Sequence, residues 1–164
     1  MKAVLGWIVF LVTAVAVQAV LLPLIFPQGT KPDIILIIVV ATGLLTGRER
    51  ATGIGFFAGL LQDFASGNIF GLNTLSKMAV GYTAGMAERK VFKESILLPV
   101  LAIIIATFFN SAVIQALLFL LGYKIDFSGL LINQVLPSLG YNILFCIPVH
   151  RFIYRITFGN RSQF

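Results

Sequence analysis

The sequence predicts an all-α integral membrane protein of six transmembrane helices, forming one polytopic domain over residues 1–164. Three observations predict it. Of the 164 residues 59% are apolar, and with the 15 glycines the share reaches about 68%, against roughly 45–50% in soluble proteins. With 12 basic and 6 acidic residues, the chain has too few charges to cover the surface that a globule of this size exposes. Residues 3–30, 95–123 and 127–150 carry no Asp, Glu, Lys or Arg, and each stretch exceeds the roughly 20 residues needed to cross the hydrocarbon. Six spans with short loops use the whole length and leave no room for a soluble domain.

The first helix is expected over 4–26, ended by Pro23 and Pro27, with a turn over 26–31. It is too long for a cleaved signal peptide. The second, over 33–47, opens on Thr30-Lys31-Pro32-Asp33. There Thr30 can act as N-cap, Pro32 suits the first turn, and Asp33 can complete a capping-box-like arrangement facing the positive end of the helix dipole. The third and fourth, over 51–65 and 70–87, are shorter, and the fourth contains Lys77. A re-entrant hairpin of helices 2 and 3 would leave four full spans. It would also bury Arg48 and Arg50 at roughly 2.5–3.5 kcal/mol each, so separate helices are favoured. The fifth and sixth are expected over 95–122 and 128–150.

The charges orient the bundle. With the N-terminus cytoplasmic, Lys2, Arg48, Arg50, Arg89, Lys90, Lys93, Arg151, Arg155 and Arg161 fall on one side, while Lys31 and Lys124 fall on the other. This is a strong positive-inside bias that places both termini in the cytoplasm. The net charge of +6 therefore reports topology and anionic headgroups; no nucleic-acid partner is expected. One cysteine, Cys146, makes no internal disulfide or zinc site. One histidine, His150, beside Arg151, reads as an interfacial side chain, with Arg151, Tyr154 and Arg155 as snorkelling anchors. No catalytic residue, metal site or cofactor site is legible, and no enzyme is expected.

Small residues recur at spacing four: Gly43 and Gly47, then Ala51, Gly55 and Gly59, then Gly81 and Gly85. Such ridges let helices approach closely; packing within helices 2–4 is favoured over a homodimer seam. Helices 5 and 6 carry polar stripes, Thr107, Asn110, Ser111 and Gln115 on one, and Gln134, Ser138, Tyr141 and Asn142 on the other, each on a single helical face. In lipid these faces turn inward. They can bond to each other, meet a partner's transmembrane helix, or line a small polar pocket. Asp63 ends the third helix, where the dipole disfavours an anion, so it needs a partner. Ser66-Gly67-Asn68 and Gly71-Leu72-Asn73 after it read as an external turn.

These residues are familiar in combination. Pro32-Asp33 opens helix 2. Gly55-Phe56, Gly59-Leu60 and Asp63 follow, then Gly67, Gly71-Leu72-Asn73 and Leu75, then Gly81-Tyr82 and Gly85. The run resembles the rod shape-determining protein MreD family over residues 32–85, and length and span count agree along the whole chain. Lys77 departs from the family's mostly apolar pattern, so its role cannot be borrowed. The resemblance implies a fold similar to the substrate-binding subunits of energy-coupling-factor transporters, in the bacterial cytoplasmic (inner) membrane. It implies a scaffold or regulatory subunit of the elongasome, which builds the lateral peptidoglycan of rod-shaped cells. The implied partners are an MreC-like single-span protein and, directly or indirectly, MreB, RodA and a class B penicillin-binding protein. The alternative is a small-molecule-binding subunit of a membrane transporter, with the polar faces of helices 5 and 6 lining its pocket.

Structural or interface roles are therefore expected for Pro32, Asp33, Gly55, Gly59, Asp63, Gly67, Gly71, Asn73, Lys77, Gly81, Asn110 and Gln115. Asp63 and Lys77 lie equally far from Phe70, hence at similar depth in a helical hairpin. This suggests a buried pair, with snorkelling of Lys77 or its pairing with Asp33 as the alternatives.

Overall fold

The computed structural model describes residues 2–25, 31–67, 69–87, 97–124 and 127–158; Thr30, Arg89, Lys90, Lys93 and Arg161 lie outside them. The described residues form six helices and no strand. Helix α1 covers 2–25 and contains a π-helical turn at Val17–Leu21. Helices α2, α3, α4 and α5 are Ile34–Thr46, Arg48–Ser66, Leu72–Met86 and Leu97–Leu120. Helix α6 covers 127–158, with a second π turn at Leu131–Val135. Leu5–Ile25, Leu97–Leu120 and Leu131–Phe158 are long and apolar enough to cross a membrane, and their outer faces expose Leu5, Leu24, Leu97, Leu120 and Leu144. The chain is an all-α integral membrane protein.

The centre is α2. Its sequence IILIIVVATGLLT is apolar on every side, and such a helix belongs in a core. Every residue from Ile35 to Leu45 is buried, and all five other helices pack against it. At 13 residues it is about 20 Å long, well short of a roughly 30 Å hydrocarbon core. Phe10 of α1 meets Phe152 of α6 at 5.6 Å between ring centroids, bringing the first and last helices together around it.

Helices α3 and α4 form the most extensive pair. Gly55 and Gly59 on α3 lie against the α4 backbone at Lys77 and at Asn73–Thr74, while Gly81 and Gly85 lie against the α3 backbone at Ala51 and Arg48. A Cβ on Gly59 would fall 2.6 Å from the Asn73 oxygen and the Thr74 Cα. The opposing atoms are main chain, so no rotamer change relieves the clash. Gly43 of α2 fits Ala84 and Gly85 in the same way. This ridge is used inside the bundle.

Several boundaries differ from the sequence expectation. Pro23 does not end α1, which runs through it to Ile25 just after the π turn at Val17–Leu21. Asp33 is the N-cap of α2 rather than part of its first turn, because its carboxylate accepts from the Leu36 N–H; Pro32 lies just outside, buried. Helix α3 starts at Arg48 rather than 51, because Gly47 alone, at φ +86°, turns the chain from α2 into α3. Helix α6 continues to Phe158, so His150, Arg151, Tyr154 and Arg155 lie within it, with the two arginines exposed.

Candidate functional site

The N-terminus of α2 lies inside the bundle, so its orphan N–H groups need partners that water cannot supply. Side chains of other helices provide them. Asp33 N–H donates to Asn142 Oδ1 of α6 at 2.8 Å, and Ile35 N–H donates to Gln18 Oε1 of α1 at 3.0 Å. Leu36 N–H donates to Asp33 Oδ1 at 3.0 Å, and Gln18 Nε2 donates to the same oxygen at 3.2 Å. Gln18 sits in the π turn of α1, where the extra residue per turn rotates the side chain inward.

Lys77 enters this junction from α4. It is fully buried, and its Nζ lies 2.5 Å from Asp33 Oδ2 and 3.1 Å from Asn110 Oδ1 of α5. Asn142, also fully buried, donates through Nδ2 to Thr107 Oγ1 at 3.1 Å, and Thr107 donates on to the Ile103 carbonyl. Five helices thus meet in one polar network around a single ion pair. A charge is costly at this depth, and a paired charge with further hydrogen bonds is the form that a bilayer tolerates. Removing one partner of such a pair costs about 3–5 kcal/mol.

The pairing of Asp63 with Lys77 does not occur. Equal distance from the turn was the basis of that expectation, and helical phase overrules it. The Lys77 side chain faces α2 and α5, while Asp63 folds over the start of α4. Asp63 is 2% exposed and accepts from Gly71 N–H (2.9 Å), Asn73 N–H and Nδ2 (3.0 Å each), Thr74 N–H (3.1 Å) and Thr74 Oγ1 (2.6 Å). An anion that ends α3 badly starts α4 well, because it faces the positive end of that helix. Gly67 and Gly71, at φ +63° and +96°, make the turn tight enough for the carboxylate to reach.

The polar stripes of α5 and α6 divide. Thr107 and Asn110 turn inward to the junction, as does Asn142. Of the others, Ser111 and Gln115 on α5 and Gln134 and Ser138 on α6 line a cavity of about 190 Å³ together with Asp33 and Asn142, whereas Tyr141 does not line it. Ser111, Gln115 and Val135 also border an apolar groove of about 490 Å³ formed with Phe108, Ala112, Phe119 and Leu131. The two spaces adjoin along Ser111, Gln115 and Val135 in the cleft between α5 and α6, the smaller carrying most of the amides and hydroxyls and the larger almost wholly apolar. Beside them, Gln115 Oε1 is buried without a hydrogen-bond partner among the described residues.

The site therefore joins Asp33, Lys77 and Asn110, with Pro32 beside them and Gln115 at the cleft. Asp63, Gly67, Gly71 and Asn73 form a separate turn, and Gly55, Gly59 and Gly81 form the helix contact. Sequence reasoning missed Gln18. Its signal was present: it is a lone amide between residues 3 and 27 of an uncharged span, where an unpaired polar group is expensive.

A family model described as rod shape-determining protein MreD matches residues 1–156. No curated protein and no solved structure matches the chain.

Proposed function

The chain belongs to the rod shape-determining protein MreD family, and on that premise we propose that it is a non-enzymatic scaffold of the elongasome. Membership gives the chain a role in rod shape determination. The finer reading is that it sits in the bacterial cytoplasmic membrane with both termini inside. There it pairs with an MreC-like single-span protein and, directly or through it, engages MreB, RodA and a class B penicillin-binding protein in lateral peptidoglycan synthesis.

One observation carries the scaffold reading. The acids best placed for chemistry are engaged in holding helices: Asp33 binds Lys77 and the start of α2, and Asp63 binds the start of α4. A bundle locked by such contacts suits a platform on which other membrane proteins assemble. The test is mild-detergent purification of the tagged chain from cells expressing the single-span partner. Stoichiometric recovery of that partner is expected, together with loss of rod shape when the chain is depleted. Recovery of the chain alone, with cells remaining rods on depletion, would overturn the reading.

A further inference from the structure

We propose that the α5–α6 cleft binds one uncharged, hydroxyl-bearing amphiphile of the acylglycerol class, with its head in the polar cavity and its chain in the apolar groove. The inference stands apart from the scaffold reading and rests on the size, polarity and depth of the cleft.

Size comes first. The cavity of about 190 Å³ is less than half the size of the groove of about 490 Å³, which suits a small head beside a longer chain. A helix, at about 10 Å across, does not enter the smaller cavity.

Polarity follows. Amides and hydroxyls line the smaller cavity beside Leu36, Ile114 and Val135, and Gln115 Oε1 is a buried acceptor that meets no donor among the described residues. A ligand hydroxyl satisfies it; a hydrocarbon tail leaves the full desolvation penalty in place. No lysine or arginine lines either part of the cleft among the described residues. The nearest cation, Lys77, is fully buried and already bonded to Asp33 and Asn110. A phosphate head would face the Asp33 carboxylate with no free cation to balance it. A cationic head would find both Asp33 oxygens accepting.

Depth decides the rest. Ser111 lies nine residues before the end of α5 at Leu120, so the cavity is about 13 Å below that end of the helix. Charged heads reach such depth only at high cost, whereas a neutral glycerol head can. The π turn Leu131–Val135 lies in the α6 wall, and such turns recur where a helix is reshaped around a ligand.

The full-length chain, purified in a maltoside detergent, provides the test. Its thermal unfolding is followed with 1-monooleoylglycerol, with phosphatidylglycerol carrying the same acyl chain, and with methyl oleate. Monooleoylglycerol is expected to raise Tm saturably, by about 5–10 °C at a hundredfold excess over Kd, and the other two are not. Gln115→Leu removes the acceptor and Ala112→Phe fills the groove. Both should abolish the shift while leaving the unliganded Tm within about 3 °C, since neither residue bonds across the bundle. Equal shifts from methyl oleate, a stronger one from phosphatidylglycerol, no saturable shift, or shifts retained in both variants would each overturn the proposal. A photo-crosslinking residue at position 112 supplies the cellular measurement. An adduct of acylglycerol mass supports the site, and one of phospholipid mass or to a protein's transmembrane helix refutes it.

Discussion

At the scale of single residues, the Asp33–Lys77 pair decides most of the behaviour. The two partners are not equivalent. Asp33 keeps Leu36 N–H and Gln18 when Lys77 is removed, and its side chain is 19% exposed. Lys77 is fully buried, and once Asp33 loses its charge it faces only neutral acceptors, Asn110 and the new amide, among the described residues. Asp33→Asn should therefore destabilise more than Lys77→Met, by about 3–5 kcal/mol against a smaller loss, and the double variant should cost less than the sum. Unfolding in detergent reads this directly. Asp63→Asn combined with Lys77→Met should be additive within about 0.5 kcal/mol, since they share no partner. The sequence marked Asp63 as an anion needing a partner and gave pairing with Asp33 only as an alternative for Lys77; the structure shows that alternative and gives Asp63 the start of α4 instead. Depth can be counted along a chain, whereas helical phase depends on π turns and on which neighbour lies closest.

Among the elements, the α3–α4 contact gives the sharpest contrast. Gly55→Ala and Gly81→Ala each push a Cβ into main-chain atoms of the facing helix, and overpacking of this kind costs about 1–3 kcal/mol or more. Gly53→Ala and Gly140→Ala meet nothing within 4 Å and should be neutral or stabilising by up to about 1 kcal/mol. Comparing the four Tm values checks both halves. The helix-forming segments were legible because hydropathy runs are a one-dimensional property. The division of the α5 stripe was not, because one helix face meets two environments: Asn110 the ion pair, Gln115 the cleft. Asn110→Leu should accordingly destabilise the bundle, whereas Gln115→Leu should fold normally, a difference that size-exclusion behaviour and Tm measure together.

Among the described residues the molecule is a ring of five helices around a short, buried sixth, and the all-α membrane class was legible from composition and the long uncharged runs. What composition could not convey is that α2, the most apolar segment, would be the core rather than a lipid-facing span. Our topology proposal is tested at this scale. Lys124 and Glu49 are both exposed, and the native Cys146 is 3% exposed, so background labelling by an impermeant thiol reagent should be low. Lys124→Cys should react from outside intact cells, and Glu49→Cys only after permeabilisation. The reverse pattern would invert every loop.

The sunken start of α2 also has a consequence for how the chain is made. Asn142, which accepts the N–H of the N-cap Asp33, is synthesised 109 residues after it, an interval of about 5–20 s at ordinary elongation rates. Until then the Asp33 N–H at the start of the central helix has no α6 partner, and in hydrocarbon an unmet group costs several kcal/mol. The N-terminal helices should therefore stay with the insertion machinery until the last one arrives. A chain ending at residue 124 should be retained there and degraded, while the full chain is released; pulse-chase half-lives of the two should differ several-fold.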